Sequence, residues 1–161
     1  MRYNNVEDIV NHLIEKKITI STMESCTGGL IASEITNIPN ASNIIKFSAV
    51  TYSNEYKIKM GVSPELIEKY SVYSMEVARD MSYKIAQFAG SDIGVGVTGK
   101  LGKKDPNNPR GDDNKVFVSL YNKDDEEYFT GELTVDEETR YECKKKVLNK
   151  FVELFNQMGD K

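Results

Sequence analysis

A pair of glycines separates a strand-like segment from a helix-like segment early in the chain. Residues 18–23 read ITISTM, in which apolar and polar side chains alternate as in a strand that enters a core. The segment ESCTGG follows at residues 24–29, and apolar residues recur at helical spacing from Leu30 onward. A strand, a glycine turn and a helix in this order begin an α/β unit. The ESCTGG segment is therefore predicted to be either a tight turn or a functional site.

Strand-like and helix-like segments continue to alternate along the rest of the chain. Apolar periodicity and capping residues predict helices at 6–17, 30–36 and 54–60, the last of them capped by Asn54. A fourth helix is predicted to begin at Pro64, a fifth to run from the Ser74 cap to Ala89, and a sixth to begin at Asp136. Residues rich in β-branched and aromatic side chains predict further strands at 44–52, 93–98, 115–121 and 127–134. The polar turn at 122–126 makes the last two strands an antiparallel hairpin. The predicted fold is α/β, a three-layer α/β/α sandwich with a mixed five-stranded sheet, as a single domain over residues 1–161.

Charge and cysteine content exclude several classes of protein. The 21 basic and 25 acidic residues are well mixed and give a net charge of -4, so no nucleic-acid partner is predicted. Without a secretory signal or a run of ~18 apolar residues, a soluble protein with no membrane partner is expected. Only two cysteines occur, Cys26 and Cys143, and they lie far apart without metal-type spacing. Together with the lack of a secretory signal, this predicts a protein of the reducing cytoplasm. The adjacent Asp112 and Asp113 have no further ligands at sensible spacing, so no metal site is predicted.

Two nucleotide-binding motifs are matched only formally. Residues 94–99 read GVGVTG and fit the dinucleotide fingerprint, and with Lys100 they nearly fit a phosphate loop. In both motifs a helix must begin directly after the glycines, because its N-terminus holds the phosphates. Here the glycines alternate with apolar residues inside a predicted strand, and Leu101 stands where a phosphate loop needs a hydroxyl. Hydrolysis of nucleoside triphosphates is therefore not predicted.

Hydroxyl chemistry with a lysine base remains, because the single histidine, His12, is expected to lie on a helix surface. Ser25 stands where the first strand ends and the second helix begins, so its oxygen is expected to face free N–H groups and the positive end of the helix dipole. Gly28 and Gly29 allow a close approach of the backbone, whose N–H groups form an oxyanion hole in this interpretation. Cys26 is a rival nucleophile, because the helix terminus alone is expected to lower the pKa of its thiol, although no imidazole is evident to form the thiolate. In the simpler alternative, Ser25 or Thr27 is only an N-cap beside a glycine turn.

Two segments of the sequence resemble one known family. They are ESCTGG at residues 24–29 and VTYSNEYKIKMGV at residues 50–62, and both are similar to the nicotinamide-nucleotide amidase family, the CinA C-terminal domain. The resemblance implies an enzyme that deamidates nicotinamide mononucleotide to nicotinic acid mononucleotide and ammonia without a cofactor. It also implies the same α/β/α fold, a small-molecule nucleotide substrate and a homo-oligomer.

The resemblance also implies roles for individual residues. Ser25 matches the family's nucleophile and Lys57 its general base, with Tyr52 counted among the catalytic residues. The residues expected to bind substrate are Thr27, Gly28, Gly29, Asn54, Thr98, Gly99 and Arg140. Lys57 is chosen over Lys59 by the family motif and not by spacing.

A lysine can act as a base only in its neutral form, whereas the reference pKa of ~10.4 keeps an ammonium protonated near neutral pH. A carboxylate in contact with the amine would oppose deprotonation. Glu24 is therefore predicted to point away from Lys57, towards backbone donors of the turn.

The chain departs from the family pattern in two places. The long polar segment 99–114, GKLGKKDPNNPRGDDN, is predicted to be a loop, either functional or a disordered insertion. An arginine of the family is also missing near Asp136, and Lys100, Lys103 and Arg110 are candidates to neutralise a phosphate in its place. A different hypothesis follows, in which the protein is a weakly active or inactive relative that binds a pyridine nucleotide or a partner protein through this loop.

Overall fold

A computed structural model of the protein describes residues 3–102, 110, 112–137 and 139–159. Its single sheet has the strand order β2-β1-β3-β4-β5. The strands are β1 (Ile20–Glu24), β2 (Ser48–Val50), β3 (Ile93–Gly99), β4 (Lys115–Asn122) and β5 (Glu127–Thr134). Strands β2, β1 and β3 are parallel, and β4 and β5 are antiparallel to their neighbours. The predicted mixed five-stranded sheet is confirmed.

Helices cover both faces of this sheet. They are α1 (Val6–Lys16), α2 (Leu30–Thr36), α3 (Asn54–Lys59), α4 (Pro64–Tyr70), α5 (Met75–Ala89) and α6 (Arg140–Met158). Buried residues of α1, α2 and α6, such as Ile9, Ile31 and Phe151, pack with Val95 in the larger core. Met81 of α5 packs with Met23 in a second core on the other face. The three-layer α/β/α architecture predicted from periodicity is therefore confirmed.

The glycines of the GVGVTG segment allow α5 to pack closely against β3. A β-carbon on Gly94 would overlap the carbonyl oxygen of Ser82, and one on Gly96 would lie 2.7 Å from the Ser82 nitrogen. The alternating residues Val95 and Val97 point into the larger core. Close packing between a helix and a strand explains these glycines without a nucleotide.

Three predicted boundaries are wrong. The strand predicted at 44–52 is only β2, because this edge strand pairs solely with residues 22–24 of β1. Ser53 and not Asn54 caps α3, since its hydroxyl accepts a hydrogen bond from the Tyr56 N–H at 3.3 Å. The last helix begins at Arg140 and not at 136, because Thr139 forms a capping box with Glu142 there. By contrast, the predicted Ser74 cap and the predicted start at Pro64 are confirmed.

Only residues 99–102, 110 and 112–114 of the predicted long loop are described, and the candidate Lys103 lies outside the described residues. Within this part, Lys100 and Leu101 are buried, with exposed fractions of 3% and 6%. The loop therefore begins with residues that belong to the interior. In the described part of the chain, no helix has both the length and the apolar character that a membrane crossing requires.

Candidate active site

Ser25 directly follows β1, at the carboxyl edge of the parallel strands. Its N–H donates to the Val97 carbonyl of β3 at 3.0 Å, and its own carbonyl accepts from the Gly28 N–H at 3.0 Å. Gly28 and Gly29 have φ angles of +64° and +97°, in the left-handed region that favours glycine. The crevice outside the carboxyl ends of parallel strands is where open α/β sheets bind ligands. The predicted turn therefore stands at a position suited to a site.

Lys57 of α3 reaches this turn from the neighbouring loop. Its Nζ donates to Ser25 Oγ at 3.1 Å and to the Thr51 carbonyl at 2.8 Å, and the whole residue is 2% exposed. Thr51 is itself tied to β1, because its N–H donates to the Glu24 carbonyl at 2.8 Å. The structure thus brings Ser25 and Lys57 within the distance of a direct proton transfer.

Glu24 is a fully buried carboxylate that organises the turn and the start of α2. Its Oε1 accepts from Thr27 Oγ1 at 2.6 Å and the Ile31 N–H at 3.0 Å. Its Oε2 accepts from Thr22 Oγ1 at 3.0 Å and the Ala32 N–H at 2.9 Å. Glu24 therefore accepts from two backbone N–H groups, as predicted, but these belong to α2 and not to the glycine turn.

These contacts correct the predicted relation between Ser25 and α2. Glu24 already occupies N–H groups in the first turn of α2, so this helix end does not offer them to the Ser25 oxygen. The simpler alternative, in which Ser25 or Thr27 is the N-cap, is also wrong, since Gly29 occupies that position. Among the described residues, no acceptor is found for the N–H groups of Cys26, Thr27 and Gly29. The turn therefore leaves backbone donors that an anion could bind.

Cys26 is a poor nucleophile in this structure. Burial raises the pKa of its thiol to about 12, although the positive charges of Lys57 and Arg140 act in the opposite direction. The thiolate is the nucleophilic form of cysteine, and almost none is present near neutral pH. The expectation that a helix terminus lowers this pKa is therefore wrong, because desolvation is the larger effect.

Arg140 and Tyr52 form a bridge across the loops at the same edge. Arg140 donates through Nη1 to the Leu101 carbonyl at 2.9 Å and through Nη2 to Tyr52 Oη at 3.1 Å. The Tyr52 side chain is largely exposed, with a residue exposure of 61%. Asn54 is half-buried in the first turn of α3. The bridge links the loop after β2 to the loop after β3.

Thr98 and Gly99 make contacts that packing explains. The Thr98 hydroxyl is fully buried and donates to the Val72 carbonyl at 2.6 Å. A β-carbon on Gly99 would lie 2.6 Å from the Val116 Cα of the neighbouring strand. Their expected contacts with substrate stay predictions.

The two described cations of the candidate phosphate set already contact protein groups. Lys100 Nζ lies 4.7 Å from the centre of the Tyr73 ring and 3.7 Å from Asp113 Oδ1. Arg110 donates to the Ile67 carbonyl at 2.9 Å. Lys100 is thus buried against protein groups and is not a hydrated cation of a polar loop.

Sequence reasoning missed Lys144, whose Nζ lies 3.4 Å from the place that a β-carbon on Gly28 would occupy. The sequence contained one indication of this position, because Lys144 lies one helical turn after Arg140 and so on the same face of the helix.

His12 packs its ring against Tyr3 of the N-terminal segment, with ring centres 5.5 Å apart. Its position on α1 gives it a packing contact rather than a place beside the Ser25 turn.

Among the residues that the structure describes, no group of three or more histidines, cysteines and acids could hold a metal ion. Asp112 and Asp113 instead face Lys115 at 3.5 Å and Lys100 at 3.7 Å.

Comparison with known proteins gives matches over most of the described chain. A competence-damage inducible protein of Clostridium kluyveri is 41% identical over 134 residues, which are 82% of this chain and 31% of the relative. One of Alkaliphilus oremlandii is 49% identical over 100 residues, 61% of this chain and 24% of the relative. The chain thus spans about a quarter to a third of the length of these curated relatives.

Two solved structures share the fold. The competence/damage inducible protein CihA of Agrobacterium tumefaciens superimposes with a TM-score of 0.83 at 23% identity and covers 99% of both chains. A CinA superfamily protein of Enterobacter cloacae gives a TM-score of 0.85 at 19% identity, over 99% of this chain and 95% of that one. The family model described as the CinA C-terminal domain matches residues 3–158. The chain therefore belongs to the CinA C-terminal domain family.

Proposed function

We propose that this protein is a Ser/Lys amidohydrolase that deamidates nicotinamide mononucleotide, or a close analogue, to nicotinic acid mononucleotide and ammonia. The observation that carries the proposal is the 3.1 Å hydrogen bond between Lys57 Nζ and Ser25 Oγ, both in buried residues. A serine with a buried amine beside it is the arrangement that a hydrolase without a histidine base requires.

In the proposed reaction, neutral Lys57 accepts the proton of Ser25 as the hydroxyl oxygen attacks the carboxamide carbon. Burial deprives an ammonium of its hydration, which favours the neutral amine that this step needs. The oxyanion of the tetrahedral intermediate is stabilised by backbone N–H groups of the turn, among which those of Cys26, Thr27 and Gly29 have no acceptor within the described residues. Lys57 then gives its proton to the departing ammonia. Water, deprotonated by Lys57, hydrolyses the acyl-enzyme and regenerates Ser25.

A specific observation supports the second candidate, a weakly active or inactive relative that binds a pyridine nucleotide or a partner protein. Arg140 matches an arginine of the family, yet its Nη1 and Nη2 already donate to the Leu101 carbonyl and Tyr52 Oη. Such a protein would bind the nucleotide without releasing ammonia.

Ammonia release from nicotinamide mononucleotide tests both candidates. Ser25→Ala and Lys57→Ala are expected to lower kcat by about 1,000-fold or more, because each removes one member of a catalytic unit. Cys26→Ala is expected to change kcat by less than about 10-fold, since the thiol stays protonated. Lys59→Ala is the matched control, because Lys59 lies on the same helix, is exposed and pairs with Glu55 at 3.0 Å.

Circular dichroism of each variant separates loss of chemistry from loss of fold. Turnover that survives in folded Ser25→Ala would contradict the serine mechanism. Binding of nicotinamide mononucleotide without any ammonia would favour the second candidate. The proposed reaction uses no cofactor, and the cytoplasmic location and the homo-oligomer stay predictions.

A further inference from the structure

We propose that Lys144 binds the phosphate group of the substrate beside the Ser25 turn and so makes the site select a nucleotide over its nucleoside. The inference rests on the proposed function, since it assigns one more residue to the same substrate. It concerns a side chain of α6 that neither the ESCTGG segment nor the VTYSNEYKIKMGV segment contains.

The position of Lys144 follows from the geometry of α6 and of the turn. Residues four apart on a helix share one face, so Lys144 projects from the same face as Arg140, whose side chain bonds to Tyr52. Lys144 Nζ lies 3.4 Å from where a β-carbon on Gly28 would stand. Because Gly28 has only hydrogen at that place, the ammonium lies directly over the backbone that follows Ser25.

The partners of the neighbouring lysines set Lys144 apart. Lys145 pairs with Glu34 at 3.4 Å, and Lys146 pairs with Glu137 at 3.2 Å. Lys146 also donates to the Thr134 carbonyl at 3.0 Å. Among the described residues, no carboxylate or other acceptor is found for Lys144 Nζ, although the residue is half-buried. Its three donors therefore remain available to an anion from solution.

The charges around the turn favour an anion at this place. Arg140 brings positive charge to the turn, as its lowering effect on the pKa of the Cys26 thiol indicates. The one buried carboxylate of the turn, Glu24, is held by four hydrogen bonds in the interior and is fully shielded from solvent. An ammonium with free donors binds a phosphate monoester as a compact point charge.

Lys144 is better placed for a phosphate than the cations chosen from the sequence. Of the candidates chosen from the sequence, Lys100 is buried against Tyr73, and Arg110 donates to the Ile67 carbonyl. Lys144 instead keeps its donors and lies against the turn itself. Because Gly28 lies three residues after Ser25 and its N–H donates to the Ser25 carbonyl, Lys144 stands beside the place that a substrate of Ser25 would enter.

The test compares nicotinamide mononucleotide with nicotinamide riboside, which lacks the phosphate. Values of kcat/KM are measured for both with the wild-type protein, Lys144→Met and the control Lys145→Met. Lys144→Met is expected to lower kcat/KM for the nucleotide by about 10- to 100-fold, the typical effect of a lost hydrogen bond between charged groups. The value for the riboside is expected to stay within about 2-fold, and Lys145→Met is expected to leave both unchanged.

A general loss of structure would lower kcat/KM for both substrates equally, so the ratio isolates the phosphate contact. An unchanged ratio in Lys144→Met, with an active wild-type protein, overturns this inference and leaves the amidohydrolase proposal standing. If the wild-type protein releases no ammonia from either substrate, the amidohydrolase proposal fails. Calorimetric binding of nicotinamide mononucleotide then decides the role of Lys144, and equal affinity of the wild-type protein and Lys144→Met overturns it.

Discussion

Glu24→Gln is expected to destabilise the fold because the replacement amide cannot match the four donors that surround the carboxylate. Each oxygen of Glu24 accepts from one threonine hydroxyl and one backbone N–H, at distances from 2.6 to 3.0 Å. A glutamine has one oxygen and one NH₂ group, so one pair of donors must face the NH₂ whichever way the amide is turned. A threonine hydroxyl can rotate and accept, but the N–H of Ile31 or Ala32 cannot.

The magnitude follows from this count of hydrogen bonds. One backbone N–H of α2 loses its acceptor in a fully buried place, which costs about 1–3 kcal/mol. The two bonds to the remaining oxygen become neutral, and each is weakened by about 1 kcal/mol. A neutral amide costs less desolvation free energy to bury than a carboxylate, and this difference offsets part of the loss. The expected loss in the free energy of unfolding is therefore about 2–4 kcal/mol, a large share of the 5–15 kcal/mol typical of a domain.

Urea unfolding followed by circular dichroism measures this loss. For a typical m-value of about 2 kcal/mol/M, the midpoint of Glu24→Gln is expected to fall by about 1–2 M. Glu15→Gln is the matched control, because Glu15 is an exposed residue of α1 and its replacement is expected to change stability by less than about 0.5 kcal/mol. Equal midpoints for the two variants would refute the view that Glu24 holds the turn to α2.

Two further predictions concern close packing and the thiol beside Ser25. Gly94→Ala is expected to cost about 1–3 kcal/mol and to lower Tm, because the added carbon overlaps the Ser82 carbonyl. Gly131→Ala is the control, because its added carbon would meet only side-chain atoms, at 3.1 Å from the flexible Lys150 and at 3.4 Å from Leu154. Equal Tm values for the two variants would contradict this. With its pKa raised from 9.0 to about 12 by burial, Cys26 is expected to resist iodoacetamide at pH 8 until the protein is unfolded in urea. Mass spectrometry identifies the alkylated residue, and rapid labelling of Cys26 in the folded protein would show that the thiol is not shielded.

The elements with strong local signals could be predicted from the sequence. Ser74 caps α5, Pro64 begins α4, and the hairpin of β4 and β5 follows from the polar turn between them. In each case the decisive interactions lie within a few residues of one another. Local chemistry is therefore enough to fix these boundaries.

The edge strand shows where local signals mislead. Ile44 and Ile45 are β-branched and buried, which made them resemble strand residues, but they follow a short 3₁₀ helix and pack into the larger core. The length of β2 is set by its one partner, β1, through the pairing of residues 48–50 with residues 22–24. An edge strand has a single neighbour, so its extent is a tertiary property.

The candidate site could be predicted only in part. The contact between Ser25 and Lys57 was expected from the family resemblance, since spacing alone did not distinguish Lys57 from Lys59. The raised pKa of Cys26 depends on burial by several elements. The position of Lys144 depends on how α6 lies beside the turn after β1, and sequence periodicity does not give that placement.

The parallel arrangement of three strands explains why distant residues meet at this edge. Because β1 lies between β2 and β3 and runs parallel to both, the loops that follow the three strands leave the sheet on the same side. The first loop carries Ser25, the second leads into Lys57, and the third holds Arg140 through the Leu101 carbonyl. In the proposed reaction, only the first two loops supply the reacting groups. Changes within residues 99–114 can therefore alter what the candidate site binds while Ser25 and Lys57 stay in place. If the proposed function is correct, an altered loop is expected to change the affinity for substrate rather than to abolish the reaction.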